Sequence, residues 1–190
     1  SHNTPLFLAT LSNSPLIVKL LFESGANLPA YSSQFASKSP LTQAISSQAI
    51  DCLLILLEHT NLQKKDEKNY SPLMKAIASS LPNDIIYRLI DHGADLTYRS
   101  PEGLSALYLA CLGKNEDIVR YLLEHGVDAN RSLYQGKYPI HLAAGSDNPK
   151  IVQMILDNGG DVNVCDNLGR PPIFSALICK KNIDTILKLL

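Results

Sequence analysis

The residues best placed to do chemistry are three histidines and three aspartates that recur at one interval. His59, His92 and His125 lie 33 residues apart, and so do Asp95, Asp128 and Asp161. Imidazole nitrogens bind zinc at about 2 Å, and paired carboxylates can divide acid and base roles. The equal spacing argues against both. Residues one period apart occupy equivalent sites of successive structural units, roughly 10 Å apart where helix packs on helix, and one ion cannot span that gap. The histidines are expected instead in the last turns of helices, where an imidazole bonds free carbonyls and complements the dipole. The aspartates are expected to bond turn backbone. No phosphate-cradling glycine loop, His-Glu-x-x-His, Gly-x-Ser-x-Gly or cysteine-nucleophile signature occurs in the chain. The expectation is a chain that is no enzyme and carries no metal and no cofactor.

The four cysteines, Cys52, Cys111, Cys165 and Cys179, are too few and too scattered for a disulfide framework. They fit a reducing compartment, cytoplasmic or nuclear. Seventeen basic and eighteen acidic residues leave a net charge of −1. With no basic block longer than two lysines, a nucleic-acid partner is disfavoured. No window approaches the roughly 18 to 20 apolar residues of a bilayer span, and no signal peptide opens the chain, so no membrane insertion is expected. Hydrophobic residues make up 45% and charged ones 18% of the 190, a balance that favours a folded core over disorder.

The elements that position these residues emerge from self-similarity. A six-residue block recurs as T-P-L-F-L-A from Thr4, S-P-L-T-Q-A from Ser39, S-P-L-M-K-A from Ser71, S-A-L-Y-L-A from Ser105, Y-P-I-H-L-A from Tyr138 and P-P-I-F-S-A from Pro171. Fourteen or fifteen residues into each unit come two apolar pairs four apart, as in Ile118/Val119 with Leu122/Leu123. That spacing is one face of a helix. Proline at the second place of the block suits a first helical turn, and the preceding Ser or Thr can cap it. Gly25, Gly93, Gly126 and Gly159 stand where the second helix should stop at positive φ. Thr60 holds the equivalent place in the second unit and predicts a different ending there, since β-branched residues avoid that conformation. Gly103, Gly136 and Gly169, with Asn69, mark a turn just before the block.

Two short helices and a glycine-marked excursion, repeated at about 33 residues, resemble ankyrin repeats. The family's Thr-Pro-Leu-His-x-Ala and Gly-Ala-Asp-x-Asn signatures are matched by Tyr138–Ala143, with His141 at the family's histidine, by Gly93-Ala94-Asp95 and by Gly159–Asn163. The resemblance implies an all-α fold, a solenoid of stacked helix-turn-helix units with β-hairpin fingers. It covers one domain, 1–190, with units at about 2–34, 37–68, 69–102, 103–135, 136–168 and 169–190, the last truncated. The stretch Leu28 to Lys38, with Pro29, Tyr31 and Phe35 and no glycine, departs most from a regular finger. Neither end has the polar cap of a complete array, so the chain reads as a fragment of a larger protein.

Stacking leaves some positions spare. Counted from the first residue of each block, positions +2, +5 and +6 face the core, whereas +4, +7 and +8 form an opposite stripe of variable identity. In the fourth and fifth units this stripe sets Leu109, Leu112 and Leu142 beside Gly113, Gly145 and Ser146, an apolar trough. The adjoining fingers carry Tyr98, Arg99, Arg131, Tyr134 and Lys137, and Lys75 extends the stripe to the third unit. Aromatic residues and arginine around an apolar centre have the composition of an interface hot spot. The expected function is a monomeric protein-interaction module that binds an extended or helical segment, bearing acidic groups, over roughly 800 Å² per side. A regulatory or targeting domain of a larger enzyme is the alternative, and a purely architectural spacer another. A methyl-lysine reader walled by Tyr98, Tyr108, Tyr134 and Tyr138 is a lesser one. The resemblance also raises hydroxylation of Asn130 or Asn163.

Overall fold

The structure is a computed structural model that describes residues 4–27, 39–63, 65–66, 68–132, 134–146, 148–178 and 183–188. Leu28 to Lys38, Cys179 and the final apolar pair, Leu189 and Leu190, lie outside the described residues. The chain divides into two compact units, Ser1–Asp95 and Leu96–Leu190. The first holds α1 (Pro5–Leu11), α2 (Pro15–Glu23), α3 (Pro40–Ser47), α4 (Ile50–Leu57), α5 (Pro72–Ala78) and α6 (Asn83–Asp91). The second holds α7 (Ala106–Leu112), α8 (Glu116–Glu124), α9 (Pro139–Ser146), α10 (Pro149–Asp157), α11 (Pro172–Ile178) and α12 (Ile183–Leu187). Each is built of helix pairs. Leading helices pack side by side, α1 on α3 on α5 and α7 on α9 on α11, and α8, α10 and α12 follow suit behind them.

The local chemistry follows the sequence signals. Thr4, Ser71 and Ser105 each accept a hydrogen bond from the backbone N–H three residues on, capping α1, α5 and α7. Ser39 precedes α3 without such a bond. Asn115 and Asn148 cap α8 and α10. Gly25, Gly93, Gly126 and Gly159 stand at φ between 79° and 84°, and the N–H after each reaches back to a carbonyl in the last helical turn. Thr60 departs as expected: α4 stops at Leu57, and the threonine hydroxyl instead donates to the Leu56 carbonyl at 2.6 Å. His92 and His125 bond the Arg88 and Tyr121 carbonyls through Nδ1, at 2.8 and 2.7 Å. His59 differs and stacks on Phe22, ring centroids 4.1 Å apart.

Turns join the pairs. Asp66, Ser100 and Asp166 each close a five-residue loop by a backbone bond, to Tyr70, Leu104 and Arg170. Side-chain oxygens of the same three residues take N–H groups inside the loop. Asn69, Gly103 and Gly169 supply the positive φ each loop needs. Among the described residues there is no strand, and one isolated antiparallel bridge, Arg99 with Ser105, is the extent of β pairing. The hairpins that the family resemblance implies are therefore represented here by tight turns.

Each compact unit buries the same block positions. Leu41, Leu73, Leu107 and Ile140, at +2, are buried together with Ala44, Ala76, Ala110 and Ala143 at +5, whose small side chains let leading helices approach closely. Behind them lie Leu53, Leu56, Ile86, Leu89, Val119, Leu122, Val152 and Ile155. Cys52 and Cys111 are core residues, and burial pushes the Cys111 thiol up to about 12, so it stays an inert hydrophobe at neutral pH. The last pair departs from the pattern. Leu177 at +6 is exposed, and the hydroxyl of Thr185, fully buried, has no partner among the described residues.

Polar staples hold consecutive pairs in register. Asn130 donates through Nδ2 to the Gly159 carbonyl and accepts the Asp161 N–H at 2.8 Å. Gln63 bonds the Gly93 carbonyl in the same manner at 3.1 Å. His141, only 2% exposed, accepts the Tyr138 N–H at Nδ1 (3.2 Å) and donates from Nε2 to the Arg170 carbonyl (2.9 Å). This arrangement requires the neutral ring, and burial lowers its pKa accordingly.

Two predictions follow from this packing. Leu122→Ala should lower unfolding free energy by about 2–5 kcal/mol, whereas Leu112→Asp, at an open position, should change it by no more than about 0.5 kcal/mol; urea titration distinguishes them. Because folding depresses the His141 pKa, its contribution is complete above about pH 6.5 and is lost as pH falls through the lowered native value. The urea midpoint should therefore drop between pH 7 and 5, and His141→Gln should flatten that drop. An equal slope in both proteins would count against the neutral staple.

Candidate functional site

All described residues at +4, +7 and +8 are at least partly exposed, and those at +2, +5 and +6 are buried in every unit but the last. The stripe that stacking does not use is thus real as a surface. In the second compact unit it deepens into a groove of about 430 Å³ across α7, α9 and α11. Leu112, Leu142, Phe174 and Ile178 supply its apolar lining, and Gly145, Ser146 and Ser175 its small residues. Leu112 and Ile178 are 59% and 61% exposed, although both are large aliphatic side chains.

Three cations line the same groove. Lys137 and Arg170 each stand immediately before a block, so the repeat places them at equivalent sites of consecutive pairs. Lys114 sits at the opposite end of α7 in a left-handed conformation, φ 56°. Arg170 is fixed by Asp166, whose Oδ2 accepts from Nε at 2.8 Å and from Nη2 at 2.6 Å, and its guanidinium lies 5.6 Å from the centre of the Phe174 ring. Arg170 and two backbone N–H groups hold the Asp166 carboxyl well below the usual carboxylate range. The groove therefore presents apolar anchoring surface under positive charge, with no acidic side chain among its described lining residues.

The structure redistributes the residues that the sequence singled out. Leu112, Leu142 and Lys137 meet in the groove, whereas half-buried Leu109 is not part of its lining. Arg99 and Arg131 line a separate cleft of about 90 Å³, where Arg131 donates to the Thr97 carbonyl at 3.3 Å. Tyr98 lines neither. The Tyr134 side chain is outside the described residues. Lys75 belongs to the first compact unit and pairs with Asp66 at 3.2 Å.

Sequence reasoning did not name Lys114, Arg170 and Phe174. For Arg170 the signal was present: it sits one period after Lys137. Of the tyrosines considered as cage walls, those with described side chains stay out of the groove's lining. Neither Tyr108 nor Tyr138 lines the groove, and Tyr138 tilts against His141 at 5.9 Å. Among the described residues no group of histidine, cysteine and carboxylate side chains could hold a metal ion. No helix among them is long and apolar enough to cross a membrane.

A family model for three tandem ankyrin repeats matches residues 73–166, and a model for a single ankyrin repeat matches residues 1–32. No curated protein matches the chain. Those two matches, the recurring capped helix pairs and the staple made by His141 identify the chain as a member of the ankyrin-repeat family, whose repeats are generally protein–protein interaction modules.

Proposed function

We propose that this chain binds a segment of a partner protein, that the groove across α7, α9 and α11 is where the segment seats, and that the chain itself performs no catalysis. The observation that carries this reading is the exposure of Leu112 and Ile178, with Leu142 at a third stripe position that the repeat does not need for stacking and Phe174 beside them. An exposed apolar cluster rimmed by charge is the composition of an interaction surface. Burying such aliphatic side chains contributes roughly 1.5–3 kcal/mol each, so two of them can anchor a modest interface. Arg99 and Arg131 are secondary in this reading, since their cleft is smaller and Arg131 is already engaged with backbone. The groove belongs to an array of six repeats, read here as one domain.

The test uses a partner isolated from the native cell and titrated by calorimetry. Leu112→Asp combined with Ile178→Asp should weaken binding at least tenfold with an unchanged urea midpoint, and Arg131→Glu should change it by less than threefold. Affinity unaltered by the double substitution would remove the groove as the binding site.

A further inference from the structure

Nothing among the described residues requires glycine at position 145. Gly145 lies in α9 without a positive φ, and among the described residues a Cβ built on it would meet nothing nearer than the Ser175 Cβ at 3.8 Å, an ordinary contact. Its counterparts at +7 in the other pairs are Leu11, Ser46, Ala78, Leu112 and Ile178, so the repeat accepts a side chain there. Glycine within a helix is destabilising relative to alanine. What it achieves is a lower floor beneath the groove, between Ser146 and Ser175, where another backbone could approach closely.

The charges above that floor have a spacing of their own. Lys137 and Arg170 recur one unit apart, which is roughly 10 Å for packed helices. A polyproline-type extended chain advances about 3.1 Å per residue with three residues per turn, so side chains at i and i+3 project from the same edge about 9 Å apart. A flat β-strand would send those two to opposite faces. Arg170 keeps donors for a ligand, because Asp166 takes only Nε and one Nη2 bond of the five that a guanidinium offers. Lys114 and Lys137 have no ion-pair partner among the described residues.

Resting on the groove reading above, we propose that the segment bound there is acidic and extended. Two carboxylates three residues apart meet Lys137 and Arg170, the intervening side chains cover Leu112, Phe174 and Ile178, and the backbone passes over Gly145. Gly145 is then a specificity-determining residue, kept for a ligand's backbone at the expense of helix stability.

The test is selection of twelve-residue random peptides displayed on phage against the intact chain, followed by anisotropy titration of the enriched peptides. Enriched peptides should share two Asp or Glu residues at i and i+3 around apolar residues. Replacing both acids by their amides should weaken binding at least tenfold, as should Lys137→Glu. Gly145→Ala should raise the urea midpoint and still weaken binding at least threefold, a combination that a purely structural glycine would not produce. Peptides without the acid pair, peptides with acids seven apart on a helix, or no enrichment at all would overturn the proposal. If peptides lacking the pair still lose affinity with Leu112→Asp and Ile178→Asp, the groove reading stands and this inference alone fails. If enriched peptides ignore both groove substitutions, the two fall together.

Discussion

No helix pair of this chain can cover its own apolar surface, and the rest of the structure depends on that constraint. One position shows it. Ile17 is 50% exposed in the first pair, whereas its equivalents Cys52 and Ile85 in the same compact unit are buried. Burial of leading alanines and trailing aliphatic pairs therefore comes from the neighbour, and each neighbour must arrive in the same register. Register is held by polar groups as well as by packing. The exposed Asn130 carboxamide and the buried His141 ring each reach backbone atoms of the following pair, and a buried polar group that is fully satisfied, as His141 is, fixes a geometry that apolar contact alone leaves loose.

Division of labour along each leading helix follows. Three positions of every block but the last are buried, the first residue of three blocks caps its helix, and the remaining stripe is left at least partly open. Function can vary there without disturbing the stack. In the second compact unit the freedom has been used for large aliphatic side chains left open to water, small residues between them, and cations that the turns deliver to the rim. Asp166 illustrates how a turn serves both ends: one oxygen organises the loop backbone while the other orients Arg170 beside Phe174.

Most of the fold was legible in the sequence because its signals are local and repeated. Caps, stop glycines, the anomalous Thr60 ending and the dipole-facing His92 and His125 all depend on a few neighbouring residues, and six copies in register leave little ambiguity. His59 escaped because its contact, the Phe22 ring, comes from another pair. The groove was half legible. Leu112, Leu142 and Lys137 fall together as the stripe implies, but which finger residues join them depends on how turns fold back, and period alone does not give that. Arg99 and Arg131 line a different cleft, where Arg131 bonds the Thr97 carbonyl, and Arg170 was reachable only by noticing that it repeats Lys137.

Between the two helices of four pairs the chain reverses through a single left-handed residue, Asn13, Gln48, Ser80 and Lys114 in turn. The next N–H then bonds back to the carbonyl of the buried alanine, Ala9, Ala44, Ala76 or Ala110. The backbone alone makes this reversal, at a strain of about 1–2 kcal/mol for a residue other than glycine, and amide, hydroxyl and ammonium side chains all occupy it. Identity at that corner is thus uncoupled from architecture, and natural variation can rewrite the rim's polarity one corner at a time while the scaffold beneath stays the same.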